Sequence, residues 1–157
     1  MDGQQRKILA RLQHGCARRE YCSQDILQKA RKALDGDEAG ARALLDALEK
    51  DGFVDDARYA AAFAREKAGI SGWGPAKIRF ALRSKDIPPE LVAAALDGID
   101  MAQADARLQR LLSAKWKTLS GDPQAKLKLL RFALGRGFSY EAVRDAVDAL
   151  VQGNQAI

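Results

Sequence analysis

Three groupings in the 157-residue sequence have residue types that could do chemistry. The first is GISGWGPAKIRFAL, residues 69–82, where three glycines stand just before Lys77. A loop that cradles phosphate needs a strand before it and a serine or threonine directly after the lysine. Here the preceding residues read as helix, and Ile78 follows Lys77. Gly74 then Pro75 reads as N-cap then first helical residue, because the N–H that proline lacks has no helical partner there. The stretch is expected to be a joint between two helices, not a nucleotide site. The second grouping is the adjacent pair Asp55 and Asp56. Paired carboxylates can hold a metal or move a proton, but no histidine stands near to complete such a site. Capping a helix and complementing its dipole explain them better. The third is His14, Cys16 and Cys22. Three ligands without C-x-x-C spacing do not make a structural zinc site, so reduced thiols are expected. No catalytic residue, metal or cofactor is expected.

Charge suggests a partner instead. The formal net charge is +5, and residues 101–157 carry 9 basic and 5 acidic residues. Between residues 107 and 136 there are 8 basic residues and one acid, Asp122. A positive third points to a polyanion or an acidic protein surface; it is also compatible with an ordinary solvated face. The candidate partner-binding residues are Arg79, Arg83, Lys115, Lys117, Lys126, Lys128, Arg131 and Arg136. Arg79 and Arg83 lie four apart on one helix, and Arg131 takes the matching place of Arg79 in a later helix. Trp116, between Lys115 and Lys117, could stack on a base or close the core at its helix end.

These residues need helices to position them. Helix start and stop signals are dense and no alternating strand pattern appears. Nine helices are expected. The first covers about residues 4–19, with Ile8, Leu9, Leu12 and Cys16 inward. The second follows Ser23 as N-cap, and the third follows Asp37. Gly52 ends the third in the left-handed conformation, and Phe53 folds back on Leu48. The fourth starts at Asp55, with Val54 and Tyr59 at hydrophobic-staple spacing. Trp73 and Ile78 have the same spacing at the fifth. The sixth begins near Pro89 and the seventh follows Asp100. The eighth starts from Asp122 and Pro123 and turns Leu127, Leu130 and Leu134 inward. The ninth follows Ser139. No run of apolar residues is long enough to span a membrane, and the N-terminus has no signal-peptide core. A cytoplasmic monomer is expected.

The helices group in threes. RFAL occurs at residues 79–82 and again at 131–134. Downstream, Ile87 matches Phe138, Glu90 matches Glu141 and Val92 matches Val143, with one residue of slippage. Such repetition means stacked units, each too small to bury its own core well. The fold expected is all-α: three tandem three-helix repeats over residues 1–52, 53–98 and 99–157, in an elongated, slightly curved array. Phe80 and Phe132, matched across the repeat, are expected to pack between neighbouring trios.

Residues 44–96 carry a resemblance to the RecX family of recombination regulators. Its marks are Gly52, Phe53, Asp55, Asp56, Arg58, Tyr59 and Ala60, then Gly74, Lys77, Ile78, Leu82 and Ile87. One departure is Asp86, where the family usually has glycine; aspartate can take the left-handed turn with some strain. The resemblance implies three-helix repeats and a non-enzymatic regulator. It would bind the bacterial RecA recombinase, chiefly its filament on single-stranded DNA. It would inhibit the ATPase, strand-exchange and coprotease activities of RecA, with weak direct DNA contact possible. The competing reading is a DNA-binding protein built on a helix-turn-helix-like trio. No single helix carries the Arg, Asn and Gln cluster that reads base edges.

Overall fold

The structure, a computed structural model, describes residues 1–155. Among them it contains nine α-helices and no strand. In chain order these are α1 (Gly3–Arg18), α2 (Ser23–Ala33), α3 (Glu38–Lys50), α4 (Asp56–Gly69), α5 (Pro75–Ser84), α6 (Pro89–Asp97), α7 (Met101–Thr118), α8 (Ala125–Gly135) and α9 (Tyr140–Gln155). No helix among the described residues is long and apolar enough to cross a membrane.

Most helix ends form where the punctuation places them. Asp37 caps α3 by accepting the Gly40 N–H at 3.0 Å, and Asp100 caps α7 through the Gln103 N–H at 3.2 Å. The Ser139 hydroxyl accepts the Ala142 N–H at the start of α9. Pro75 and Pro89 are the first residues of α5 and α6, the position that tolerates a missing N–H. Gly52 has φ of 77°, and the Phe53 N–H then returns to the Leu48 carbonyl at 2.9 Å. Asp86 takes φ of 57°, so the turn survives without glycine, and Gly137 makes the matching turn at φ of 95°.

Two starts differ from the expectation. Cys22, not Ser23, precedes α2 as its N-cap residue. The Ser23 hydroxyl is already committed to Asp56, while Asp25 reaches back to the Cys22 N–H at 3.4 Å. Helix α8 starts at Ala125, two residues beyond the Asp122–Pro123 signal. Asp122 accepts the Gln124 N–H at 2.8 Å, which makes a tight Asx turn before the helix instead of a cap.

The chain divides into two compact units, and the chain passes between them within α4, α5 and α6. Residues 1–62 and 82–92 form the first. Its core lies where α1, α2 and α3 meet: Ile8, Ala30, Leu34, Ala41 and Leu44 form one cluster, and Ile26, Leu45, Leu48 and Val54 another. Leu9 and Leu12 pack against both clusters, and Cys16 against the second. Residues 63–81 and, of the described chain, 93–155 form the second unit. Its core is built by α7, α8 and α9 from Leu108, Leu112, Leu129, Ala133, Phe138, Val143, Ala146 and Val147. Trp116 and Leu119 pack against this cluster, so the tryptophan closes the core at the end of α7.

The inward face of α8 is not the expected one. Leu127 and Leu134 are 42% and 39% exposed, and Leu130 is half-buried. Leu129 and Ala133 are the fully buried pair. The helix is turned by about one residue position, roughly 100°, from the apolar stripe 127, 130, 134. Ala133 has almost no side chain, so at that position the helix can approach its neighbours closely. Phe132 then lies at the edge of the core, with the Lys115 Nζ 5.4 Å from its ring centroid and the Arg136 guanidinium carbon at 5.7 Å. Its repeat counterpart Phe80 is 75% exposed. The two RFAL segments therefore share letters but not burial: Leu82 is fully buried, whereas Leu134 is not.

Candidate partner-binding surface

The glycine-rich stretch is a joint, and its construction is specific. The Gly74 N–H donates to the Arg136 carbonyl at 2.7 Å, and the Ala76 N–H donates to the Gly137 carbonyl at 2.9 Å. The N-terminus of α5, whose first N–H groups have no partner within the helix, is satisfied by the turn between α8 and α9. The approach is possible only without side chains. A Cβ at Gly74 would lie 2.4 Å from the Gly137 carbonyl, and one at Gly137 would lie 2.3 Å from the Lys77 Cβ. The Lys77 ammonium is not held open for a phosphate. Its Nζ lies 4.5 Å from the Trp73 ring centroid, and the Lys67 Nζ lies 4.8 Å from the same ring. Phe63 meets Trp73 edge-on at 6.2 Å between centroids. Trp73 is thus flanked by two cations and a second aromatic ring.

The acidic pair is structural as well. Asp55 caps α4 by accepting the Arg58 N–H at 3.1 Å. Asp56 does something that spacing could not reveal: it accepts both the Ser23 N–H at 2.7 Å and the Ser23 hydroxyl at 2.5 Å, 33 residues away. A carboxylate thereby sits at the positive N-terminal end of α2. Arg58 binds both oxygens of Glu20 through its Nε at 3.0 Å. It also donates to the Gly52 and Phe53 carbonyls. Around the same helix end, the Lys85 Nζ donates to Asp25 at 2.6 Å. Burial pushes the Asp25 carboxyl upward, but the bonds from Lys85 and Cys22 outweigh it and hold the group below the usual carboxylate range. Burial pushes the Cys22 thiol up to about 11, which leaves it a protonated, packed side chain. Gly52, Asp55, Asp56 and Arg58 thus tie the first unit together, and Gly74 ties the second.

The basic candidates separate into three kinds. Lys126 and Lys128 have acid partners: Lys126 meets Asp148 at 3.3 Å, and Lys128 meets Asp122 at 2.5 Å. The bond from Lys128 holds the Asp122 carboxyl below its ordinary value. Lys115 and Arg136 are half-buried and placed over Phe132. The Arg136 Nε is buried with no hydrogen-bond partner, so this guanidinium is positioned by packing and by the ring face. Arg79, Arg83, Lys117 and Arg131 are exposed. Among the described residues, no carboxylate lies within 4.0 Å of any of these four. Arg79, Lys117 and Arg131 belong to the second unit and Arg83 to the first. Three further arginines, Arg65, Arg107 and Arg110, border a cleft in the second unit.

Known proteins resemble this chain over most of its length. The family model for the second three-helix domain of RecX matches residues 55–96, and that for the third matches residues 103–147. The regulatory protein RecX of Herminiimonas arsenicoxydans is 33% identical over 135 residues, covering 83% of this chain and 84% of the relative. The regulatory protein RecX of Prosthecochloris aestuarii is 29% identical over 96% of this chain and 97% of its own. A crystal structure of a regulatory protein RecX superposes with a TM-score of 0.81 at 24% identity, over 92% of this chain and 72% of that one. The crystal structure of RecX from Lactobacillus salivarius gives 0.77 at 20% identity, over 98% of both chains. At those identities the superpositions speak for the fold alone. The sequence matches go further, and by them the chain belongs to the RecX family of regulatory proteins.

Proposed function

We propose that the chain is a non-catalytic regulator of the RecA recombinase. It binds the RecA filament on single-stranded DNA and inhibits its ATPase, strand-exchange and coprotease activities. The observation that carries this reading is the sequence match, over most of the chain, to relatives named regulatory protein RecX. The chemistry of the surface supports it. Conspicuous sequence features that could have been catalytic, the acid pair and the glycine-rich stretch, are used for capping and docking.

The working surface in this reading is basic. Arg79, Lys117 and Arg131 are its open cations in the second unit, and Arg83, in the first unit, is a separate one. Lys126 and Lys128, themselves exposed, join it by exchanging their acid partners, because surface ion pairs contribute only about 0–1 kcal/mol and yield to a better-placed anion. Lys115 and Arg136 contribute charge from fixed positions. A filament of protein and single-stranded DNA is a long polyanion, and charge complementarity of this kind sets encounter rate and register. The test is titration of the chain into RecA turning over ATP on single-stranded DNA, with co-sedimentation in parallel. Falling turnover together with co-pelleting is the expected result. Undiminished turnover with the chain left in the supernatant would overturn the reading.

A further inference from the structure

A cleft of about 510 Å³ opens in the second unit, and its lining shares no residue with the proposed basic surface. Its walls are the end of α4, the turn between α6 and α7, and the first half of α7. The volume falls within the roughly 300–1,000 Å³ range of clefts that hold ligands. Three arginines line it, Arg65, Arg107 and Arg110. Among the described residues, none of the three has a carboxylate within 4.0 Å. The one acid in the lining is Asp100, whose carboxylate accepts the Gln103 N–H as the cap of α7. The cleft therefore carries an excess of positive charge that nothing inside it balances.

The rest of the lining narrows the kind of anion. It includes Ala68, Ile99 and Ala104, and it contains no aromatic ring. Single-stranded nucleic acid is gripped by stacking bases on aromatic side chains, which this cleft cannot offer. Arginine, in contrast to lysine, presents a planar fork that matches a carboxylate with two parallel hydrogen bonds. Arg107 and Arg110 stand three apart on α7, the spacing that makes helix side chains neighbours about 5–6 Å apart at Cβ. In an extended peptide, side chains on one face recur every second residue, about 6.6–6.8 Å apart. Two carboxylates at that spacing, both on the face turned to the cleft, suit the two guanidiniums.

We propose that this cleft is a docking site for a short acidic peptide segment of a partner protein, with a carboxylate at every second residue. The proposal rests on the second unit's geometry and does not depend on the identity of the regulated recombinase. The probe is a fluorescein-labelled peptide Glu-Leu-Asp-Leu-Glu-Leu, followed by fluorescence anisotropy against the full chain at low and high salt. Oligothymidylate is measured alongside it. The peptide is expected to bind, and to weaken about tenfold or more in Arg110→Ala and in Arg65→Ala, which remove guanidiniums from two different helices. Arg144→Ala, an equal loss of charge on α9, should bind as wild type does. Circular dichroism confirms folding, and both cleft arginines are exposed side chains whose removal leaves the core intact. Absence of peptide binding would overturn the proposal. So would binding that Arg110→Ala and Arg65→Ala leave unchanged. Tighter binding of oligothymidylate, lost in the same two variants, would also overturn it by making the cleft a nucleic-acid site.

Discussion

Gly74 shows how one residue type can mislead and then be explained. Its neighbourhood has the composition of a phosphate loop, yet its task is to let one backbone touch another. The contact has 2.4 Å to spare for a side-chain carbon that needs well over 3 Å. Gly74→Ala must therefore push α5 off the turn that accepts its N–H, and we expect a loss of at least about 2 kcal/mol. Gly135→Ala is the control, since nothing lies within 4 Å of a Cβ there. It should unfold at or above the wild-type urea concentration, because alanine favours helix over glycine by roughly 0.8–1 kcal/mol. Equal midpoints for the two variants would contradict the account of the joint. The carboxylate of Asp56 teaches a related lesson. Its type and position announced a helix start, and the structure uses it for a different helix start, that of α2. Only tertiary folding brings residues 23 and 56 together, so no local spacing could have revealed the bond.

At the scale of elements, the starts of α3, α4, α5, α6, α7 and α9 were legible because each is written in a few adjacent residues. Caps, prolines and the Gly52 turn act locally, and local signals survive packing. The face of α8 was not legible, because a helix with leucines at 127, 129, 130 and 134 offers two overlapping apolar stripes. Which stripe faces inward is decided by neighbours: Ala133 permits close approach, and Phe132 finds cations at the edge. The choice is measurable. Leu129→Ala empties a fully buried position and should cost about 2–5 kcal/mol. Leu127→Ala removes a side chain already 42% exposed and should cost under about 1 kcal/mol. The reverse order in denaturant midpoints would restore the stripe read from the repeat. The basic residues were legible as types and the cleft was not: Arg107 and Arg110 share a helix, but Arg65 joins them only through the fold.

The tie between α2 and residues 82–92 has a pH signature. The Asp25 carboxyl is held below its ordinary value in the folded state, with the Lys85 bond outweighing burial. Its contribution is therefore fully present above about pH 4, the unfolded value, and is lost as pH falls through the lowered folded value. Lys85, raised chiefly by its bond to Asp25, contributes below about pH 10.4 and loses that contribution as pH rises through its folded value. Lys85→Ala should lower stability by about 0.5–1 kcal/mol at neutral pH, a modest figure because the lysine is part-exposed. The difference from wild type should shrink toward zero in acid, once Asp25 is protonated. A difference unchanged between neutral pH and acid would mean that Lys85 acts by packing instead.

For the whole molecule the account assigns function to distributed charge. A net charge of +5 is modest, and its effect depends on where the unpaired cations stand. Arg79 and Arg131 occupy matched places in the two RFAL segments, both in the second unit, and neither has an acid partner among the described residues. If regulation of RecA works through this charge, reversing the two should abolish most of it without disturbing a core to which neither contributes. Exposed charges are also screened beyond about 10 Å at 0.1 M salt, so the wild type should itself weaken as salt rises. The most direct measurement is inhibition of the DNA-dependent ATPase of RecA against concentration of wild type and of Arg79→Glu with Arg131→Glu, at two salt levels. The account predicts a variant with wild-type helicity whose half-inhibiting concentration rises about tenfold or more at low salt, the gap narrowing at high salt. A folded double variant that inhibits as well as wild type at both salt levels would contradict it.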